Sequence, residues 1–319
     1  MKTVGIIGGA GFIGSYVTKK FLENGYKVKV SAYDISRKEK YAHLAKLPHA
    51  ENMNLVPLDV QDQAQLQSFV DGCEMIVHGG TPFQLDVADP GRDLFDPTVK
   101  GTENFLAIAS QSSVLEKVVF IASVAAFNTN FPLPPKGKKE GDQITEEDTP
   151  YFSEQNHPYT QAKFVANQTV EKFISEHADP GFEITTVSPV GVMGMAMSDR
   201  EDSTSMGLQY LIKHKIAPND FIKTLYDLDV YWALVDVEDV AEGVYKAAIT
   251  KGIHGRNYLL TSESYRISVQ YLILNQQEPA GQPKIIYSND LARKGLGISF
   301  RPASVPLRQY SSGDAAQIS

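Results

Sequence analysis

Along the first 190 residues the apolar positions switch between two rhythms. Short strand-like runs, KTVGII (2–7), KVKVSA (27–32), MNLVPL (53–58), EMIVHG (74–79), KVVFIA (117–122) and EITTVS (183–188), alternate with stretches of helical periodicity at 12–24, 63–69, 99–109 and 159–174. Strand, helix, strand, repeated in this way, predicts an α/β fold: a parallel sheet covered by helices on both faces. Right-handed crossovers make that sheet doubly wound. After Pro189 the rhythm changes. Met193, Met195, Met197 and Met206 crowd a region with few clear strands. Residues 231–249 read as a strand, a turn and an amphipathic helix, and NYLL (257–260) and KIIY (284–287) as two further short strands. The expected organisation is a first domain over 1–189 and a smaller substrate subdomain over 190–305, partly interleaved with the first through 231–249. A mobile polar tail is expected over 306–319.

Composition narrows the function classes. The chain has 319 residues, 42% of them hydrophobic, which suffices for a large core. Its net charge of −8 gives no electrostatic case for nucleic acid or an anionic membrane as partner. The single cysteine, Cys73, allows no intrachain disulfide and suits a reducing, cytoplasmic setting. The opening run MKTVGII meets glycines too soon for a signal peptide and is too short to span a bilayer. No two of the seven histidines stand at a metal-ligand spacing, so no catalytic metal is expected. The short basic run in PPKGKKEGD (134–142) reads as a solvated loop, with a clamp for a phosphorylated substrate as the sharper alternative.

Candidate chemistry begins at the first turn. GIIGGAGFIGSYV (5–17) follows the first strand and opens the first helix, with Gly8, Gly11 and Gly14 spaced three apart. One glycine serves a tight turn, one allows close approach of a pyrophosphate, and one lets helix pack on strand. The helix start, at Phe12 and Ile13, offers unpaired N–H groups and the positive end of a dipole. This predicts a dinucleotide-binding domain.

GGAGFIGSYV, VHGGTPF (77–83), PTVKGTENFL (97–106), VVFIASVAAFN (118–128) and YTQAK (159–163) together resemble the extended short-chain dehydrogenases/reductases of the NAD-dependent epimerase/dehydratase superfamily. The likeness runs over roughly 1–260 and is greatest to the dihydroflavonol reductase and cinnamoyl-CoA reductase branch. It implies a Rossmann-type domain and a reductase of a small aldehyde or ketone, reversibly an alcohol dehydrogenase. It implies hydride transfer from nicotinamide C4, with Ser123, Tyr159 and Lys163 as catalytic residues. A phenol titrates near 10 and is a poor proton donor near neutrality. A cation one helical turn away would stabilise the phenolate and pull that value down. Ser123 would hydrogen-bond the substrate oxygen, and Lys163 would also hold the cofactor ribose. Asn128 matches an active-site Asn of the flavonol-reductase branch, beside the local alternative of an Asx turn.

Further cofactor contacts follow from the same resemblance. Asp59 and Val60 match a pair that contacts adenine, with a helix N-cap as the local alternative for Asp59. Gly79, Gly80 and Thr81 match the loop passing near the adenosine ribose, and Pro189 and Val190 the turn near the nicotinamide amide. The acidic slot of NAD-preferring members falls on Ala32. Arg37, Lys38 and Lys40 follow closely, so NADP is the expected cofactor. NAD is the alternative if the second strand extends to bring Asp34 to the ribose. Helices equivalent to 99–112 and 159–176 often form a dimer seam in this family, so a homodimer is possible. Two other functions stand beside the reductase: a nucleotide-sugar epimerase, and a cofactor-sensing protein on the same fold. Dehydratase chemistry lacks its residues, because Val124, Ala125 and Ala126 follow Ser123 where an Asp-Glu pair is needed.

Overall fold

The structure, a computed structural model, describes residues 1–79, 88–177, 179–198 and 203–317. In the first half the chain runs β1 (Thr3–Ile7), α1 (Phe12–Glu23), β2 (Lys27–Ala32), β3 (Met53–Pro57), α2 (Gln63–Val70), β4 (Met75–His78), α3 (Gly101–Ala109), β5 (Lys117–Ile121), α4 (Pro158–Glu176) and β6 (Glu183–Pro189). A π-wound stretch, Gly91–Lys100, runs directly into α3. In the second half it runs β7 (Gly191–Met193), α5 (Thr204–His214), α6 (Asp220–Leu228), β8 (Tyr231–Asp236), α7 (Val237–Ile249), β9 (Asn257–Leu260), β10 (Ser264–Arg266), α8 (Ile267–Leu274), α9 (Asp290–Leu296) and α10 (Ser304–Gln317).

Seven strands form one parallel sheet in the order β3-β2-β1-β4-β5-β6-β9. Successive side chains alternate across it, as strand geometry requires. Val4, Ile6, Val77, Val119 and Val187 enter a core shared with Val17 and Phe21 of α1 and Val240 and Val244 of α7. Ile7, Ile76, Val118 and Phe120 enter the opposite core with Phe69 of α2, Phe105 of α3 and Val170 of α4. Strands β1, β4, β5 and β6 are buried on both faces, which is why they read as nearly continuous apolar runs, whereas β2 alternates and the edge strand β3 is largely exposed.

The second half is not an independent unit. β9 pairs with β6 as the seventh strand of the main sheet, and α7 packs on α1 through the first core. A smaller sheet of order β10-β8-β7 carries a third core of Met193, Leu208, Trp232, Ile273 and Leu307. Two expectations are corrected. The stretch 306–319 is no mobile tail over its described part: Leu307, Tyr310 and Ser311 lie one helical turn apart and are buried on one face of α10. KIIY is not a strand either. It makes only isolated bridges, Ile144↔Tyr287 and Ser264↔Lys284, with Ile285 turned to solvent. No described helix is long and apolar enough to cross a membrane.

Candidate active site

At the end of β1 the chain turns on Gly8, whose φ of +82° lies in the left-handed region that side chains disfavour. Gly11 N–H closes the turn on Gly8 O at 3.0 Å, and Gly8 N–H donates to Ser31 Oγ at 2.9 Å. A Cβ on Gly14 would stand 2.0 Å from Gly8 O and 2.7 Å from Gly9 Cα, so α1 sits directly on the turn. Gly11 behaves differently: a Cβ there would meet only Gly8 O, at 3.3 Å. Gly11 is the N-cap and offers no side-chain partner to the helix start. The first N–H groups of α1, including those of Phe12 and Ile13, therefore point out of the helix without intrahelical acceptors.

At the carboxyl ends of the strands lies a cavity of about 170 Å³. Ile13, Gly79, Ser123, Tyr159, Lys163, Pro189 and Val190 are among its lining, and Phe131, Met193, Leu208, Phe221 and Trp232 give it an apolar wall. Local structure explains the polar edge. Ser123 ends the run after β5 and caps a short turn, its Oγ accepting from Ala125 N at 3.2 Å. Pro158 occupies the first turn of α4, and His157 Nδ1 accepts from Tyr159 N at 3.1 Å. Tyr159 therefore stands in the first turn and Lys163 one turn later, on the same helix face. Tyr159 and Ser123 share a side-chain hydrogen bond. Lys163 Nζ donates to Ile121 O at 3.1 Å.

The electrostatics differ from the sequence expectation. Burial pushes the Tyr159 phenol well above its ordinary range, and the Ser123 hydrogen bond only partly opposes it. Burial also pulls Lys163 down to about 8. Desolvation by burial is the larger cause at both groups. Sequence reasoning missed His78. It ends β4, stacks between Phe105 and Phe120 at centroid distances of 4.9 and 5.2 Å, and is pulled down to about 4 by burial and by Lys163. The signal was a lone polar residue closing the apolar run MIVH.

The remaining sequence candidates fall at varied places. Asn128 is fully buried and not among the cavity-lining residues. Its Nδ2 donates to Leu133 O at 2.8 Å and Tyr287 Oη at 2.9 Å. Its Oδ1 accepts from Asn130 N at 3.0 Å. This is the geometry of the Asx-turn alternative, with the amide engaged by Leu133 and Tyr287. Asp59 Oδ1 likewise holds Gln61 N, at 2.9 Å. The cap of α2 is Asp62, not Asp59. Val60 packs beside Gly101. A side chain on Gly79 would meet Ile121 at 3.0 Å. Arg37 and Lys38 are exposed and Lys40 half-buried, in the loop after β2, with Arg37 3.7 Å from Glu39. Gly80 and Thr81 lie outside the described residues. Among those described, no group of three His, Cys, Asp or Glu side chains could hold a metal ion.

A glycine-cornered βα turn at the carboxyl edge of a parallel sheet defines a dinucleotide-binding fold. The chain belongs to the NAD-dependent epimerase/dehydratase family, whose model matches residues 4–260, in its extended short-chain dehydrogenase/reductase branch. It is 28% identical over 316 residues to cinnamoyl-CoA reductase CAD2 of Medicago truncatula, covering 95% of this chain and 93% of that one. It is 28% identical over 243 residues to anthocyanidin reductase of Arabidopsis thaliana, covering 74% and 69%. The structure of yeast methylglyoxal/isovaleraldehyde reductase Gre2 complexed with NADPH superposes with a TM-score of 0.81 over 99% of both chains, at 23% identity, a likeness of fold.

Proposed function

We propose that this chain is an NAD(P)H-dependent reductase of a small aldehyde or ketone, reversibly an alcohol dehydrogenase. The carrying observation is convergence: Ser123, Tyr159 and Lys163 meet in one cavity that also includes Ile13 from the first turn of α1. The residues suit a dinucleotide. A pyrophosphate needs a turn without side chains, which Gly8 and Gly11 supply, and free N–H donors, which Phe12 and Ile13 supply at the start of α1. Gly79 would pass near the adenosine ribose, Pro189 and Val190 would flank the nicotinamide amide, and Asp59 and Val60 would face adenine. When bound, the nicotinamide supplies the hydride. Tyr159 would hold the proton that the substrate oxygen takes, and Ser123 would hydrogen-bond that oxygen in the pocket. Lys163 would turn its ammonium to the ribose hydroxyls and favour the phenolate once its proton is given. Ala32 at the end of β2, with Arg37, Lys38 and Lys40 after it, favours NADP over NAD.

The cavity wall bears on the substrate: Phe131, Met193, Leu208, Phe221 and Trp232 suit a compact, apolar carbonyl compound beside the nicotinamide. The names of the relatives, all reductases, and the NADPH in the Gre2 structure support the same reading. A panel of aldehydes, ketones and CoA thioesters, followed by loss of nicotinamide absorbance, tests it. Turnover of compact carbonyls with NADPH is the expected result. Tight NADPH binding with no turnover across the panel would instead favour a cofactor sensor.

A further inference from the structure

Behind the candidate active site lies a second cavity of about 210 Å³, bordered by the loop 132–144, Val230, Tyr231, Ile286 and Tyr287. Pro132 lines both cavities, Phe131 the front one and Leu133 the rear one. Phe131 packs against the first core and the third core at once. Its ring meets Trp232 edge-on at 5.7 Å and Tyr287 at 5.8 Å. Pro132 thus stands between the two cavities with Phe131 on its front side, and the rear cavity has an apolar part at Leu133, Val230 and Ile286 and a charged part at Lys139, Glu140 and Asp142.

What holds them is the polar clasp made by Asn128. Its amide grips the chain on both sides of Phe131: it accepts from Asn130 N, and it donates to Leu133 O and to Tyr287 Oη. Asn130 Nδ2 adds a bond to Pro134 O at 2.8 Å. Asn128 and Tyr287 are almost wholly buried, so these bonds do not compete with water and their loss leaves orphaned polar groups. Ile144 bridges Tyr287 through the backbone and ties the far end of the loop to the same place. The segment 128–134 is therefore a fixed wall rather than a free loop.

We propose that Phe131, fixed by the Asn128–Tyr287 clasp, is a partition that sets the length of substrate accepted, and that its removal joins the front cavity to the apolar part of the rear one. The proposal rests on the reductase reading for the identity of the front cavity. It adds the substrate class: carbonyl compounds with short apolar bodies in the native protein, and extended ones once the partition is gone. Asn128 is then a positioning residue for the wall.

The chain offers its own probe. Trp232 is the sole tryptophan and lines the front cavity against Phe131, so its fluorescence reports occupancy without any reaction. A homologous series of 2-alkanones is titrated into the native protein, Phe131→Ala and Asn128→Ala, each with NADP⁺ bound so that no hydride can be transferred. In the native protein affinity should rise with the first methylenes and then stop. In Phe131→Ala it should go on rising by about fourfold per added methylene, and in Asn128→Ala the limit should shift to longer chains with NADPH affinity unchanged. The same length profile in the native protein and Phe131→Ala would overturn the partition, as would failure of every alkanone to bind. Melting temperatures identify a variant that has merely lost its fold. Where Asn128→Ala has done so, Tyr287→Phe, which removes one bond of the clasp, takes its place. Binding with the predicted length dependence but no NADPH oxidation in any variant would overturn the reductase reading and leave the partition standing.

Discussion

Lys163 gives a hydrogen bond to the carbonyl oxygen of Ile121 at 3.1 Å, one helical turn from Tyr159. That bond anchors α4 to the end of β5, the strand that delivers Ser123. The phenol, the hydroxyl and the ammonium are thus held by one joint between a helix and a strand. Tyr159→Phe keeps the ring and removes the proton donor. Turnover should fall by roughly two to four orders of magnitude, with NADPH affinity nearly unchanged, as calorimetry and steady-state kinetics would show. Near-native turnover would remove Tyr159 from the mechanism.

The Lys163 value near 8 fixes a pH dependence. The group is depressed in the folded protein, so its buried ammonium costs stability below about pH 8. Above that the folded state releases the proton, while the unfolded chain keeps it to the ordinary lysine range. Stability from this group therefore rises with pH from about 8 until that range is reached. Lys163→Met removes the term: denaturation midpoints of wild type and variant should converge as pH is raised across that window. NADPH affinity should move oppositely and weaken above about pH 8, since the neutral amine loses its charge-assisted bonds to the ribose. A wild-type affinity flat from pH 7 to 10 would contradict the assignment.

The first turn separates two glycines that look alike in the sequence. Gly11→Val should leave the melting temperature nearly intact, because a Cβ there meets only Gly8 O at 3.3 Å, and it should remove measurable NADPH binding by filling the approach to the turn. Gly14→Ala should destabilise the protein itself, since its methyl would lie 2.0 Å from a backbone oxygen. Thermal melts with and without NADPH distinguish the two effects. An unaltered dissociation constant for Gly11→Val would argue against a pyrophosphate at this turn.

The first half of the fold was legible because the central strands β1, β4, β5 and β6 are buried on both faces and most crossovers are α-helices, the β2-to-β3 connection being the exception, so the two periodicities separate cleanly. All six early strands lie where the apolar runs place them, within a residue or two. The second half was not legible for a physical reason. Apart from β9, its strands are three to six residues of a small sheet whose core is completed by helices from distant parts of the chain, such as α10 packing Leu307 beside Ile273. Nothing local in SVPLRQYSS announces that partner. At the site, the family motif points to Ser123, Tyr159 and Lys163, which the cavity brings together. It also points to Asn128, whose amide is claimed by Leu133 and Tyr287. Such competition between hydrogen-bond partners cannot be read from spacing.

Cofactor choice turns on where β2 ends. The strand stops at Ala32, which is buried and neutral, so the slot for an acidic ribose ligand is empty of charge. Asp34 lies beyond the strand and is bound to Ser36, its Oδ1 accepting from Ser36 N at 3.0 Å and Oγ at 2.6 Å. Those bonds and the charges of Arg37 and Lys40 hold its carboxyl below the usual range. The carboxylate is thus turned into its own loop, among the cations that would meet a 2′-phosphate. NADPH should be preferred over NADH in kcat/KM. Arg37→Ala with Lys40→Ala should cost NADPH at least about tenfold, the worth of one charge-assisted hydrogen bond, while leaving NADH unchanged. Asp34→Ser should strengthen NADPH slightly by removing a nearby negative charge. A native preference for NADH that Asp34→Ser reverses would mean that this carboxylate leaves Ser36 and takes the ribose hydroxyls.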